Sequence, residues 1–341
     1  MRKLHFHYAM RISYTQPATM CRFTIKCMPQ DTLRQRISKL KIRLDPAVPY
    51  MEGEDSFGNR KIYGCVDEPH DYFVYEVEGE VETGACHYEE STRTGNVGIY
   101  KYPFGCNRPG EKLRAYSAQL PVLDEYINRP INSRRMAGVA AEDSSMMVLG
   151  TWMKTQDSSG IFSESGSASG VGFGFDSKHQ SELIGGIVQQ RMQPGMRKYS
   201  TQLELATYNL CVDLMHHLHE DFRYQSGCTF MDTIAEEAWA LGCGVCQDYA
   251  HIYIALLHMR GIPARYVTGM IPGEGASHAW VEACCDGNWY GFDPTNDTVV
   301  SNSHIRIGTG RDASDCLINR GIMRGGGQQT QEVCVRVDFL N

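Results

Sequence analysis

The sequence predicts an α+β protein: an N-terminal antiparallel β-sandwich followed by a core of helices packed on a second antiparallel sheet. Three observations carry that expectation. Up to about residue 120, apolar and polar residues alternate in short runs separated by turn residues; between Thr201 and Arg260 the apolar positions fall mostly at helical spacing; from Ala264 to Asp293 the alternation returns around a tight turn at Asp286-Gly287-Asn288. Period two lays one face of a strand on a core, and a period of 3.6 does the same for a helix. A chain of 341 residues, 42% apolar and 21% charged, has enough apolar surface for two or three such cores.

Taken in order, Leu4-His5-Phe6-His7-Tyr8, Cys21-Arg22-Phe23-Thr24-Ile25 and Tyr72-Phe73-Val74-Tyr75-Glu76-Val77 read as short half-buried strands, punctuated at Pro29-Gln30-Asp31, Gly53, Gly58-Asn59 and Gly79. The basic stretch Arg34 to Arg43 is interleaved with Ile37, Leu40 and Ile42 and reads as the solvated face of one element. The sandwich is assigned to residues 1–122. Residues 123–200 read as a connecting region whose Gly- and Ser-rich part, 158–175, is a flexible loop; Gly170, Gly172 and Gly174 lack the strand-to-helix context of a phosphate loop. Residues 201–341 are assigned to the second domain with a C-terminal strand.

In that domain a first helix spans Thr201 to Phe222, with Leu203, Leu205, Leu210, Val212, Leu214 and Leu218 as its apolar positions. It carries His216, His217 and His219, but adjacent helical residues point about 100° apart, so these read as a wet face and not a metal cluster. A second helix covers Thr233 to Leu241 with Asp232 as its cap. A third runs from near Gly244 to Arg260 and stops at Gly261, with Pro263 beyond. Its residues Tyr249, Ala250, Ile252, Tyr253, Ile254, Leu256 and Leu257 are apolar on nearly every face, which predicts a buried helix.

The net charge of −7 argues against a nucleic-acid partner, because nonspecific phosphate binding depends on clustered Lys and Arg. The opening MRKLHFHYAMRISYTQ has no unbroken apolar stretch of the secretory kind, and no segment approaches the apolar length of a membrane span. Thirteen cysteines, an odd number, suit a reducing compartment in which they act as small buried hydrophobes. A cytoplasmic protein without nucleic-acid or membrane partners is therefore expected. No cofactor or metal is expected either: no acidic loop of the EF-hand type is present, and Cys284 and Cys285 face opposite sides of a strand.

The stretch GCGVCQDYAHIYIALL (242–257) places Cys246 in the first turn of the buried helix. Unpaired backbone N–H groups and the positive end of the helix dipole favour a thiolate there, the form in which cysteine attacks a carbonyl. One cysteine alone reads more simply as a buried thiol, but its surroundings change the reading. In SHAWVEA, His278, Trp280 and Glu282 share one strand face, and in WYGFDPT the neighbouring strand ends at Asp293. A helix start and a hairpin thus present a thiol, an imidazole and a carboxylate, the three parts of an acyl-transfer nucleophile.

The Cys246 N–H is the expected oxyanion donor, and Tyr224 and Gln247 are candidates for a second. Tyr224 reads equally as packing, and Gln247 can point elsewhere. Asp248 suits the helix N-terminus, whereas His251, about 140° round the helix from Cys246, reads as packing. Trp280 and Trp289 flank the His and Asp strands as a water shield or as plain core. MIPGEGAS (270–277) reads as a glycine-hinged lid beside His278. Cys243 opens a reversible disulfide with Cys246, although no thioredoxin-like βαβ pattern surrounds the pair.

The motifs GVCQDYAHIYIALLHMRGIPARYVTG, SHAWVE and GFDPTND, in the order Cys, His, Asp, resemble the transglutaminase-like superfamily, whose core is papain-like, and within it a bacterial branch described as cysteine proteases. DSFGN (55–59) is similar to that branch's N-terminal sandwich domain, and HIRIGTGRDASD (304–315) with EVCVRVDFL to its C-terminal segment; roughly 125–200 is unmatched. The resemblance implies Cys246 as nucleophile, His278 as general base and acid, Asp293 as the group fixing the imidazole tautomer, and Asn296 in the following turn as support for that carboxylate. It further implies a cysteine-dependent amide hydrolase or acyl transferase working through a thioester, with a peptide or protein amide as substrate and water or an amine as acceptor. Protein-glutamine cross-linking is the alternative, followed by a noncatalytic scaffold or a thiol redox protein. Cys243 departs from the family pattern.

Overall fold

The computed structural model describes residues 2–84, 88–90, 97–127, 153–156 and 201–340; the Gly- and Ser-rich 158–175 and most of the connecting region lie outside them. The N-terminal part holds β1 (Arg2–Ile25), β2 (Gln35–Asp45), β3 (Tyr50–Glu54), β4 (Arg60–Val66), β5 (His70–Thr83) and β6 (Tyr88–Glu90). Next come α1 (Glu111–Ser117), α2 (Asp124–Ile127) and β7 (Met153–Gln156). The second part contains α3 (Gln202–Asp221), β8 (Arg223–Tyr224), α4 (Ala235–Leu241), β9 (Cys243–Gly244) and α5 (Cys246–His258). It continues through β10 (Ala264–Met270), β11 (Gly273–Gly275), β12 (His278–Cys285), β13 (Asn288–Asp293), β14 (Thr298–Val299) and β15 (Ile305–Gly310), then β16 (Asn319–Gly325) and β17 (Gln329–Leu340).

Where the sequence predicts separate short strands, β1 is a single strand of 24 residues with Leu4, Phe6, Tyr8, Met10 and Ile12 buried in alternation. Its first half lies between β5 and β17, and its second half between β4 and β16. The register breaks between Ser13 and Ala18 and again between Thr19 and Arg22, and such bulges bend a strand. Phe23 in the second half therefore packs on Phe73 of β5, ring centroids 5.0 Å apart. The two halves of one strand thus pair with different neighbours within one sheet.

Two assignments need correction. β16 and β17 both pair with β1, so the C-terminal strand completes the N-terminal sandwich instead of the second domain. Leu113 and Leu120, placed with the sandwich, and Tyr126, placed in the connecting region, are buried with α3 and α5 in the core of the second domain. Local periodicity shows that an element has a buried face, not which core receives it. The expected lid also differs: β11 pairs with β17 from Val335 to Val337, which pins the chain just before His278 to the sandwich.

The second domain is a sheet in the order β14-β13-β12-β10-β15 with helices on one face. The buried face of α5 packs on Ala279, Val281 and Ala283 of β12, so Trp280 and Glu282 occupy the opposite face. Burying Ile252, Ile254, Leu256 and Leu257 contributes about 1.5–3 kcal/mol each. Tyr249 and Tyr253 satisfy their hydroxyls on carbonyls of Phe222 (2.5 Å) and Cys211 (2.6 Å), which ties α5 to α3. Thr201 caps α3 by accepting the Glu204 N–H at 2.9 Å. Asp232 is not the cap of α4: it is exposed, the helix starts at Ala235, and Thr233 Oγ accepts instead from the Phe230 N–H in the preceding loop.

Polar contacts join the domains. Gln35 accepts the Arg306 N–H (2.8 Å) and donates to its carbonyl (2.7 Å); Asn59 does the same at Thr309 (2.7 and 2.8 Å). Two side-chain amides thus occupy backbone groups of β15 as a neighbouring strand would. The basic stretch splits: Lys41 and Arg43 make exposed pairs with Glu78 and Glu76, which are worth little, whereas Arg34 turns inward to Glu282 at 3.1 Å. Buried Glu282 also meets Arg265 at 2.6 Å and Arg306 at 3.2 Å. Burial alone would raise its pKa, but the charges of Arg265, Arg306 and Arg34 lower it to about 2. A folded-state value below the unfolded one stabilises the fold above roughly pH 4.5, and this stabilisation is lost as pH falls toward 2. Glu282→Gln, which leaves buried arginines without their carboxylate, is expected to cost about 3 kcal/mol in urea unfolding at neutral pH and to flatten the acid dependence over that window.

Candidate active site

Cys246 is the first residue of α5, and the turn before it is held rigid. Asp248 Oδ2 accepts the Val245 N–H at 2.8 Å and the Thr229 hydroxyl at 2.6 Å, which stitches the 229–231 loop to the helix start. Burial raises the Asp248 pKa, and these two hydrogen bonds oppose the rise. Gly244 is required by close approach, because a Cβ there would meet the Asp248 carboxylate at 2.5 Å. The Val245 carbonyl accepts the N–H groups of Asp248 and Tyr249, so those of Cys246 and Gln247 precede the first helical acceptor.

His278 opens β12, two strands from β15 in the sheet, and Asp293 closes β13 beside it. The structure brings the two together: His278 Nε2 lies 2.7 Å from Asp293 Oδ2. Cys246 lies within hydrogen-bonding reach of the same imidazole. With Nε2 taken by Asp293, Nδ1 is the nitrogen left for the thiol. Burial alone would lower the His278 pKa, but the charge and hydrogen bond of Asp293, with the contact to Cys246, raise it to about 10. Asp293 is fully buried; burial would raise its pKa, yet the charge and hydrogen bond of His278 and the hydrogen bond from His304 hold it far below the carboxylate range.

Asp293 is surrounded by donors. Oδ1 accepts the N–H groups of Thr295 (3.1 Å) and Asn296 (3.3 Å); Oδ2 accepts Asn296 Nδ2 (2.8 Å) and faces His304 Nε2 (3.2 Å). The Pro294–Asp297 turn that delivers these groups is tied to α3, because His219 bonds the Pro294 carbonyl at 3.1 Å and His216 pairs with Asp297. The histidines of α3 thus have three separate partners, the third being the Asp213 carbonyl for His217. Gly269 admits the Trp280 ring, which packs 6.2 Å from His278 and 5.2 Å from His304; a Cβ at 269 would lie 2.2 Å from the indole.

The other named residues divide. Tyr224 is half exposed and stacks on Tyr249; burial first, then the charge of Cys246, raises its pKa. The Gln247 amide is turned away and donates to the Met231 carbonyl at 3.1 Å, which removes it as a side-chain oxyanion donor. His251 is buried in the core, where Nε2 accepts the Ala313 N–H at 3.1 Å and burial pushes its pKa down to about 4. Trp289 packs on Tyr100 and under Arg265, away from Cys246, His278 and Asp293. The close thiol neighbour of Cys243 is Cys228.

The model of the transglutaminase-like superfamily matches residues 196–294, the span that holds Cys246, His278 and Asp293, and the model of the bacterial transglutaminase-like N-terminal region matches residues 4–82. The chain belongs to the transglutaminase-like superfamily.

Among curated relatives, an uncharacterized protein of Mycobacterium leprae is 39% identical over 107 residues, 28% of this chain and 38% of that protein. One from Mycobacterium tuberculosis is 37% identical over 127 residues, 33% of this chain and 40% of that protein. The match therefore spans about two fifths of these relatives' length. A solved structure from Cytophaga hutchinsonii, described as a “Putative Cysteine Protease”, superposes with a TM-score of 0.61 at 18% identity, covering 100% of this chain and 91% of that one, and shares the fold.

Within this superfamily fold, sequence reasoning missed His304. The residue lies in HIRIGTGRDASD, whose resemblance to the family was legible, but no spacing rule links position 304 to position 293; sheet order alone does. The pH dependence of the site follows from its charges. Iodoacetate, an anion drawn to an imidazolium, is expected to alkylate Cys246 ahead of the other cysteines, with an alkaline limb near pH 10 where His278 loses its proton. Peptide mapping of the labelled protein checks this, and His278→Ala is expected to abolish that limb.

Proposed function

We propose that the protein is a cysteine-dependent amide hydrolase or acyl transferase, peptidase-like, that works through a thioester on Cys246. The observation that carries this reading is the imidazole of His278, held between the Asp293 carboxylate at 2.7 Å and the Cys246 thiol at the first turn of a buried helix. Thiol, base and orienter on rigid elements are what acyl transfer to sulfur requires.

In the first half-reaction the Cys246 thiolate attacks the amide carbonyl carbon. The oxyanion is received by the Cys246 N–H, which precedes the first intrahelical acceptor. Tyr224 suits the second donor position, because burial and the adjacent Cys246 charge raise its pKa and keep the phenol protonated. The C–N bond then breaks as His278 gives its proton to the departing amine, and the acyl group stays on sulfur. In the second half-reaction, neutral His278 takes a proton from water or from an incoming amine, which attacks the thioester. The acyl product leaves, and the thiolate and imidazolium are restored.

A scaffold role is disfavoured because all three groups are retained, with His278 hydrogen-bonded to Asp293 and Cys246 beside the same imidazole. Thiol redox exchange between Cys243 and Cys246 is disfavoured because the thiol that Cys243 meets is Cys228. Intact-mass spectrometry after incubation with a mixed peptide and amine library is expected to show an acyl adduct that maps to Cys246 and disappears in Cys246→Ser. Release of free acid marks hydrolysis, and release of an acyl-amine conjugate marks transfer. A protein that never acquires an adduct or converts any amide under these conditions would contradict the reading.

A further inference from the structure

We propose that His304 is a positioning residue of this site: its Nε2–H holds the Asp293 carboxylate in place while His278 gives up and regains its proton. The proposal rests on the acyl-transfer reading above.

His304 sits immediately before β15, buried and edge-on to Trp280. The Ser301 N–H and the Ser303 hydroxyl both lie 3.5 Å from Nδ1. The Ser301 N–H can only donate to Nδ1, which leaves the ring proton on Nε2, the nitrogen that faces Asp293 Oδ2 at 3.2 Å. His304 therefore donates as a neutral imidazole. Burial first, then the charges of His278 and Arg34, keep it below the ordinary histidine range against the pull of Asp293.

A carboxylate offers about four acceptor sites. Asp293 meets five donors, three of them on Oδ2, where His304 makes the longest contact. Donors sharing one oxygen compete, so the division between them follows the charge on His278. As an imidazolium, His278 takes the largest share. Once its proton has passed to the leaving amine, Asp293 is a fully buried anion without an ionic partner, a costly state unless hydrogen bonds carry it. Asn296 and two backbone N–H groups carry part of that charge, and His304 supplies the other ring donor. Its own proton does not move. The charged and titratable groups facing this pair of imidazoles are Asp293 from β13, Cys246 from α5 and Arg34 from the segment before β2.

Sharing predicts a direction. Without the His304 donor, Oδ2 binds the His278 imidazolium more tightly, so that proton is lost at higher pH. The test uses His304→Leu and His304→Gln in the full chain, with the iodoacetate rate at Cys246 followed across pH and circular dichroism to verify folding. His304→Leu is expected to move the alkaline limb upward by about one pH unit, the effect of losing roughly one hydrogen bond to a charged group. His304→Gln, which keeps an N–H donor, is expected to stay near the original limb. A folded His304→Leu protein with an unmoved limb would overturn the proposal. If His304→Leu fails to fold, His304→Met, which also lacks an N–H donor, takes its place: an upward shift of about one unit supports the role, and an unmoved limb overturns it. A purely structural histidine would lower stability in both variants and leave the limb in place. Failure of the unsubstituted protein to show selective alkylation of Cys246 would instead remove the acyl-transfer reading beneath it.

Discussion

A carboxylate with no exposed surface has to be compensated within the protein, and the arrangement around Asp293 is the consequence. Its partners come from β12, from the turn after β13 and from the segment before β15, so their meeting requires these strands to be in their observed order. The turn is in turn anchored to α3 by His216 and His219. An unpaired buried anion costs several kcal/mol, so elements far apart in the chain are locked together by the requirement to surround one group.

Cys246 is placed by the opposite means, apolar packing. α5 is buried along nearly its whole length, and its phenols are satisfied on backbone carbonyls of α3, so the helix cannot roll without losing both. At its start, Asp248 and Gln247 hold the 229–231 loop, with Phe230 and Met231 exposed next to the turn that carries Cys246. Residues adjacent to Cys246 thus position its surroundings and take no part in the proposed chemistry. A thiol on a rigid helix and an imidazole on a rigid strand keep their separation without relying on loop geometry.

The sandwich is joined to this site more closely than a separate domain would be. β17 and β11 connect the segment before His278 to β1, and Gln35 and Asn59 occupy backbone groups of β15. The cluster of Glu282 with Arg34, Arg265 and Arg306 lies behind β12, on the Trp280 side of the sheet. Changes in the sandwich can therefore reach Asp293 through β15 without touching Cys246.

The sequence by itself determined the helix that carries Cys246, the hairpin that carries His278 and Asp293, and the α+β class, because each depends on local periodicity and on turn residues such as Asp286 and Gly287, whose positive φ angles of 46° and 89° suit a two-residue hairpin. It also singled out Tyr224 and Asn296, and only contact showed that Tyr224 stacks on Tyr249 of α5 while Asn296 clamps Asp293. Tertiary structure alone decided that the C-terminal strand closes the N-terminal sandwich, that α1 and α2 belong to the other core, that Gln247 faces away, that the 273–275 stretch is a pinned strand, and that His304 reaches Asp293. The physical reason is common to all of these. Periodicity reports that a face is buried, whereas the partner of that face is set by pairings across hundreds of residues, where register, charge compensation and packing are settled together.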